Sequence, residues 1–224
     1  MIHKSLTVAT AVLLLMMALR PARADQRQSN SVPLVISVFN EAELSVNAVE
    51  RAETRAGLVL AAAGMEVTWV QCIPVPSGQI RLATPSSCAT LAYPAHLSVR
   101  ILLQGDGQKE HACGSSWLDE AGTGVRAAVF YSCVAASAKG YLDEEELLGC
   151  VIAHEIGHLL LGPHAHSPAG LMRAHWGPNE LREAASGNLY FSSEQEARLH
   201  SRLDFFTRAA TASPQDTSRI ASGK

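Results

Sequence analysis

An excess of positive charge is missing from this chain: its 224 residues carry 18 lysines and arginines against 21 acids, a net charge of −3. Such a balance offers little to a phosphate backbone and argues against nucleic acid as a partner. No Cys-x-x-Cys spacing occurs, so the five cysteines, Cys72, Cys88, Cys113, Cys133 and Cys150, do not read as a thiolate metal site. Long apolar runs are scarce as well. Leu6 to Leu19 is uncharged for fourteen residues, too short to cross a bilayer core of about 30 Å as a helix, and no later stretch is apolar enough to span. Neither an internal repeat nor a second domain is visible, and one domain of this length can bury a sizeable core and stand as a monomer.

What is present at the amino end reads as an address. Lys4, the uncharged run and then Ala22-Arg23-Ala24 make residues 1–24 a signal peptide cleaved after Ala24, with a retained anchor as the rival reading. Removing Lys4, Arg20 and Arg23 leaves 15 basic and 21 acidic residues, a net charge of −6. The expected location is secreted or periplasmic, where disulfides persist. Cys72 and Cys88 flank a Pro/Ser/Gly-rich loop and form the first candidate pair, and Cys113 with Cys133 the second. Cys150 is then the odd thiol, read as a buried structural cysteine.

From Asp25 to about 210 the pattern is α+β. "VPLVISVFN", "MEVTWVQC" and "HLSVRILL" read as strands, His111 to Trp117 as an edge strand, and Val125 to Val134 as a buried strand. Between the first two, Leu44 to Ala63 reads as an amphipathic helix with Leu44, Ala48, Ala52, Leu58 and Ala62 on its apolar face and Glu50, Arg51, Glu53 and Arg55 between them. A second long helix starts at Asp143, with Glu146 in capping-box position and "DEEE" at the positive end of the helix dipole, and stops at Gly162-Pro163. The acid run also admits a calcium reading, which a helix start explains without an ion. Leu189 to Arg208 reads as a last helix, capped by Ser193 and Glu196, with Leu199, Leu203 and Phe206 on one face. Residues 211–224 are small and polar, an expected disordered tail.

The second helix is apolar from Leu147 to Leu161 except at His154, Glu155 and His158. Positions i and i+4 share a face, so two imidazoles can grip one ion while Glu155 flanks them. Burying three such groups without partners costs about 1–3 kcal/mol each, and a zinc ion would satisfy the imidazoles directly and the carboxylate through water. His-Glu-x-x-His on a helix is the spacing of zinc peptidases.

His154, Glu155, His158, then His164 and Met172, resembles the metzincin pattern H-E-x-x-H-x-x-G-x-x-H with its Met-turn. The chain departs at one place: the family's glycine position is Leu161, and the glycine is Gly162. A shift of one residue points at Ala165, between two histidines. "HSPAGLM" is similar to the loop of small secreted bacterial, matrixin-like peptidases in which the His of a His-Ser pair is the ligand, which puts His166 first as third ligand and leaves His164 as the alternative.

The resemblance implies a mostly parallel, mixed sheet of about five strands with a long active-site helix and a C-terminal helix. It implies Zn2+ as cofactor, protein or peptide as substrate, and an exported endopeptidase with a zinc-activated water, Glu155 as general base and then acid, and Met172 as a packing floor. Substrate is expected along the edge strand at His111 to Trp117. Two rival readings stand beside it: a catalytically silent metal-binding or interaction module of the same build, and a gluzincin-type peptidase taking Glu180 or Glu183 as third ligand. Trp69, Trp117 and Trp176 read as core or rim residues.

Overall fold

The computed structural model describes residues 32–73, 88, 90–105, 112–138 and 142–211. The expected signal peptide at residues 1–24, the segment from Asp25 to Ser31, His111 and residues 212–224 lie outside them. Among the described residues five strands form one mixed sheet in the order β2-β1-β3-β5-β4. They are β1 (Val32–Asn40), β2 (Met65–Cys72), β3 (His96–Leu102), β4 (Gly114–Trp117) and β5 (Arg126–Phe130). The first three and β5 are parallel, while β4 runs antiparallel to β5 and ends the sheet. By register Ile36, Val38, Leu97, Val99, Ile101 and Val129 share one face of the sheet and are all fully buried, while the opposite face is mixed, with Ser98 buried and Arg100 exposed.

Five helices are described: α1 (Val46–Ala62), α2 (Tyr131–Ala138), α3 (Glu144–Leu161), α4 (Pro178–Ala185) and α5 (Ser193–Thr211). No helix among the described residues is long and apolar enough to cross a membrane. The fold is α+β, as the element order implied. Asp143 caps α3 by accepting from the Glu145 and Glu146 amides. The same carboxylate pairs with Arg51 of α1, and Glu144 accepts from the Tyr131 hydroxyl, so this acid run has structural partners. Cys72 is bonded to Cys88 and Cys113 to Cys133, and Cys150 is free and buried.

Three expectations need correction, and one element has no counterpart among them. The apolar run from Val125 does not continue as a strand to Val134: β5 ends at Phe130 and α2 begins at Tyr131, where Ala and Ser dominate and Cys133 turns toward Cys113. The last helix starts at Ser193, with Ser192 and Gln195 bonded reciprocally as its cap instead of Ser193 and Glu196. The short helix α4, with Pro178 at its first turn, was not anticipated. Finally, the face of α1 is rotated: Val49, Ala52, Ala56, Val59 and Leu60 are buried and Leu58 is 56% exposed.

That rotation carries Arg55 into the core, 3% exposed. Its guanidinium is satisfied there by the carbonyls of Gly187 and Leu189, the Cys150 sulfur and the face of the Tyr190 ring. Glu53, also buried, accepts from the Gln71 amide. Both charges looked like solvent-facing ones because their partners are distant in sequence.

α1 and α3 touch at Gly149, where a Cβ would stand 2.5 Å from the Ala52 carbonyl oxygen and 2.6 Å from Arg55 Cβ. Backbone cannot yield there without the helices parting. Gly149→Ala should therefore destabilise the protein by about 1–3 kcal/mol, read as a lower urea midpoint at unchanged m-value. A midpoint equal to the parent's would refute this packing.

Candidate metal centre

α3 presents His154 and His158 one turn apart, and the chain beyond it brings His166 to the same point. One ligand nitrogen from each of the three lies within 4.8 Å of the others. The rings of His154 and His158 are 4.8 Å apart by centroid, and His166 stands 4.6 Å from His158 and 5.7 Å from His154. Among the described residues this is the one group of three such side chains able to share a metal. His164 does not belong to it.

The loop explains the difference. α3 stops at Gly162, whose φ of 72° suits glycine and whose amide still bonds the His158 carbonyl. His164 takes a left-handed conformation with φ of 57° and is exposed, Ala165 tucks into the core, and His166 follows it back over the helix. The Ser167 amide then bonds the Met172 carbonyl at 2.9 Å, closing the loop just after His166. Met172 is fully buried with its sulfur against Gly157, where a Cβ would lie 2.6 Å from Sδ.

The donor chemistry fits a divalent cation. His154 Nδ1 lies 2.7 Å from the Leu171 carbonyl, which only accepts, so Nδ1 carries the hydrogen and Nε2 is bare. That Nε2 is 3.1 Å from His158 Nε2. Two nitrogens on one tetrahedral zinc, each about 2.0–2.1 Å from it, stand about 3.3 Å apart. A shared proton would serve these two atoms alone, whereas a cation serves all three imidazoles. Burial lowers the His154 pKa to about 4 and the His158 pKa to about 3, the latter with help from His154 and His166. His166 is lowered too, by burial and then by His175. Neutral rings with free lone pairs are what a metal needs.

Glu155 points off the same helix and is 5% exposed. Burial raises its pKa to about 7 against the opposing Ser116 hydrogen bond. Ser116 Oγ reaches Glu155 Oε2 at 2.6 Å, which ties the carboxylate to the edge strand β4. Glu180 is elsewhere engaged: it accepts from the Gly177 amide at 2.9 Å and from Arg173 at 2.7 Å, capping α4. Neither it nor Glu183 joins the histidines.

Three further supports had no signal in the local sequence. Trp176, read as a core or rim residue, donates its Nε1 hydrogen to the Leu171 carbonyl at 3.0 Å and sets its ring edge-on to His154. One carbonyl thus orients a ring nitrogen and a tryptophan together, the second layer that fixes an imidazole's tautomer. Arg198 of α5 donates to the carbonyls of Leu161, Pro163 and His164. Arg202, one turn on, donates to those of Leu160 and Gly122, each at 3.0 Å. Two arginines from a distant helix therefore satisfy the open carbonyl end of α3 and pin the turn leading to His166.

The sequence matches no protein-family model and no curated protein. Among solved structures it is similar to an archaemetzincin from Methanopyrus kandleri, at a TM-score of 0.48 and 14% identity over 80% of this chain and 98% of that one. It is also similar to metalloproteinase-II from Bacteroides fragilis, at 0.45 and 13% over 76% of this chain and 53% of that one. What the site can do follows from its own residues.

Two outcomes are expected. In metal-free protein the buried histidines stay neutral, while those of the unfolded chain take up protons below about pH 6.5, so stability is lost as pH falls from there toward 4. Glu155 has the opposite sign, since its raised pKa lets the folded state bind the proton first between about pH 7 and 4.5. Thermal melts of chelator-treated protein should thus fall with acidification, and fall more steeply in Glu155→Gln; a shallower fall contradicts the assignment. Arg198→Met should weaken zinc binding about 10–100-fold by competition with a chelating dye, and unchanged affinity would remove Arg198 from the site's support.

Proposed function

We propose that this chain is an exported zinc-dependent endopeptidase in which His154, His158 and His166 hold the metal and Glu155 is the general base. The observation that carries the reading is the convergence of three neutral imidazoles beside a buried carboxylate from the same helix. Three protein ligands are the number that a catalytic zinc uses, since the fourth position is left for water. Zinc bound there supplies a water of lowered pKa and a positive charge against the scissile carbonyl.

Everything else is the work of the chain. Glu155, with a pKa near neutrality, is suited to take a proton from water and return it to the departing amine. Among the described residues β4 ends the sheet and pairs on one side only, and it is bonded to Glu155 through Ser116. An extended peptide pairing with that edge would lie beside the base, which favours protein or peptide as substrate. Two disulfides agree with a location outside the cytoplasm and with the leader read from residues 1–24.

The purified protein should contain about one zinc per chain and cleave peptide-library substrates. Glu155→Ala should keep the metal and lose about 10²–10⁴-fold in kcat/KM. His166→Ala should empty the site and His164→Ala should leave it filled. Full zinc occupancy without any cleavage by the parent would instead favour a silent metal-binding module, and metal loss on Glu180→Ala or Glu183→Ala alone would favour a gluzincin-type ligand set.

A further inference from the structure

One strand supplies both surfaces that the Glu155 carboxylate meets. Gly114 and Ser116 lie two residues apart on β4 and so face the same side of it. Ser116 Oγ is 2.6 Å from Oε2 and 2.8 Å from the backbone carbonyl of the same glutamate, and its single hydrogen favours the nearer carboxylate oxygen. Gly114 abuts the other half of the group: a Cβ there would lie 2.4 Å from Oε1 and 2.6 Å from the carboxyl carbon. Bare backbone thus walls the side on which a hydroxyl is absent, and any larger residue at 114 would push the carboxylate aside.

We infer that Ser116, with Gly114 as its seat, is a positioning residue for Glu155: it holds Oε2 and leaves Oε1 as the oxygen that exchanges protons. This rests on the peptidase reading above. In that reaction a water O–H bond breaks as Oε1–H forms, and the water oxygen bonds the carbonyl carbon. The Oε1 proton then passes to the nitrogen as the C–N bond breaks, which restores the carboxylate and balances the step. Oε2 accepts the same hydrogen bond before and after, so the carboxyl group need not turn between taking the proton and giving it up. A loose carboxylate would lose that alignment in both halves of the cycle.

The test compares zinc-loaded parent, Ser116→Ala and Ser116→Thr for kcat, KM, zinc content and melting temperature. Ser116→Ala should lower kcat about 10–100-fold, with KM within about twofold, zinc content unchanged and melting lowered by only a few degrees, so that the protein stays folded at the assay temperature, and Ser116→Thr should restore most of kcat. Parental kcat in Ser116→Ala overturns the assignment, and so does a loss of kcat that tracks a loss of zinc or of folded protein. A second readout is independent of turnover: the carboxyl 13C resonance of Glu155, identified by its disappearance in Glu155→Gln. It should move in Ser116→Ala in both the zinc-free and the zinc-loaded protein, and an unmoved resonance overturns the contact. If the parent cleaves nothing, the peptidase reading fails and takes the proton-exchange role with it, while the resonance still decides whether Ser116 seats the carboxylate.

Discussion

The structure depends on how three hydrophilic side chains are made tolerable on a buried helix. α3 is enclosed along nearly its whole length, with Leu147, Leu148, Ile152, Ile156, Leu159, Leu160 and Leu161 all at or below 1% exposure. His154, Glu155 and His158 interrupt that surface on adjoining sides. Each needs a partner, because an unpaired polar group in such surroundings costs about 1–3 kcal/mol. Leu171 supplies a carbonyl for one ring nitrogen, Ser116 a hydroxyl for the carboxylate, and His166 completes a set of nitrogens around a single point. A cation held at that point would join helix, loop and turn that are otherwise separate pieces of chain.

The carbonyl end of the same helix poses a second demand. Helix ends leave carbonyls open, and here the end is followed at once by the loop that must deliver His166. Arg198 and Arg202 meet both needs, since the groups they bond are the last carbonyls of α3 and the backbone of the turn itself. The Met172 carbonyl and the Leu171 carbonyl then fix the far side of the loop. The centre is therefore placed by backbone hydrogen bonds drawn from α5 and from the Leu171–Trp176 segment as much as by α3.

Legibility in the sequence followed the range of the interaction. Asp143 and Gly162-Pro163 announce α3 locally, and the spacing of His154, Glu155 and His158 on it needs only helical periodicity. β2 was likewise visible because "MEVTWVQC" ends where a proline-bearing loop begins; the loop between Cys72 and Cys88 made that pair a candidate, whereas nothing local to Cys113 and Cys133 decides their pairing, which needs β4 and α2 side by side. Medium-range features were harder. Val125 to Val134 is apolar throughout, so periodicity could not reveal the change from strand to helix at Tyr131. Arg55 and Glu53 looked solvated because Leu189 and Gln71, which satisfy them, lie far along the chain or on another element. Ser116, Arg198 and Arg202 act through hydrogen bonds to residues more than 30 positions away, and Trp176 through one to Leu171 five residues back, and no short pattern exists for either.

The central claim is that one cation joins two helical imidazoles to the His166 ring. X-ray absorption at the zinc edge of the purified protein measures this directly. The account predicts three imidazole nitrogens at about 2.0–2.1 Å and one further oxygen, falling to two imidazoles in any metal that His166→Ala retains. Two imidazoles with a carboxylate in the parent, or a sulfur at about 2.3 Å, would contradict it.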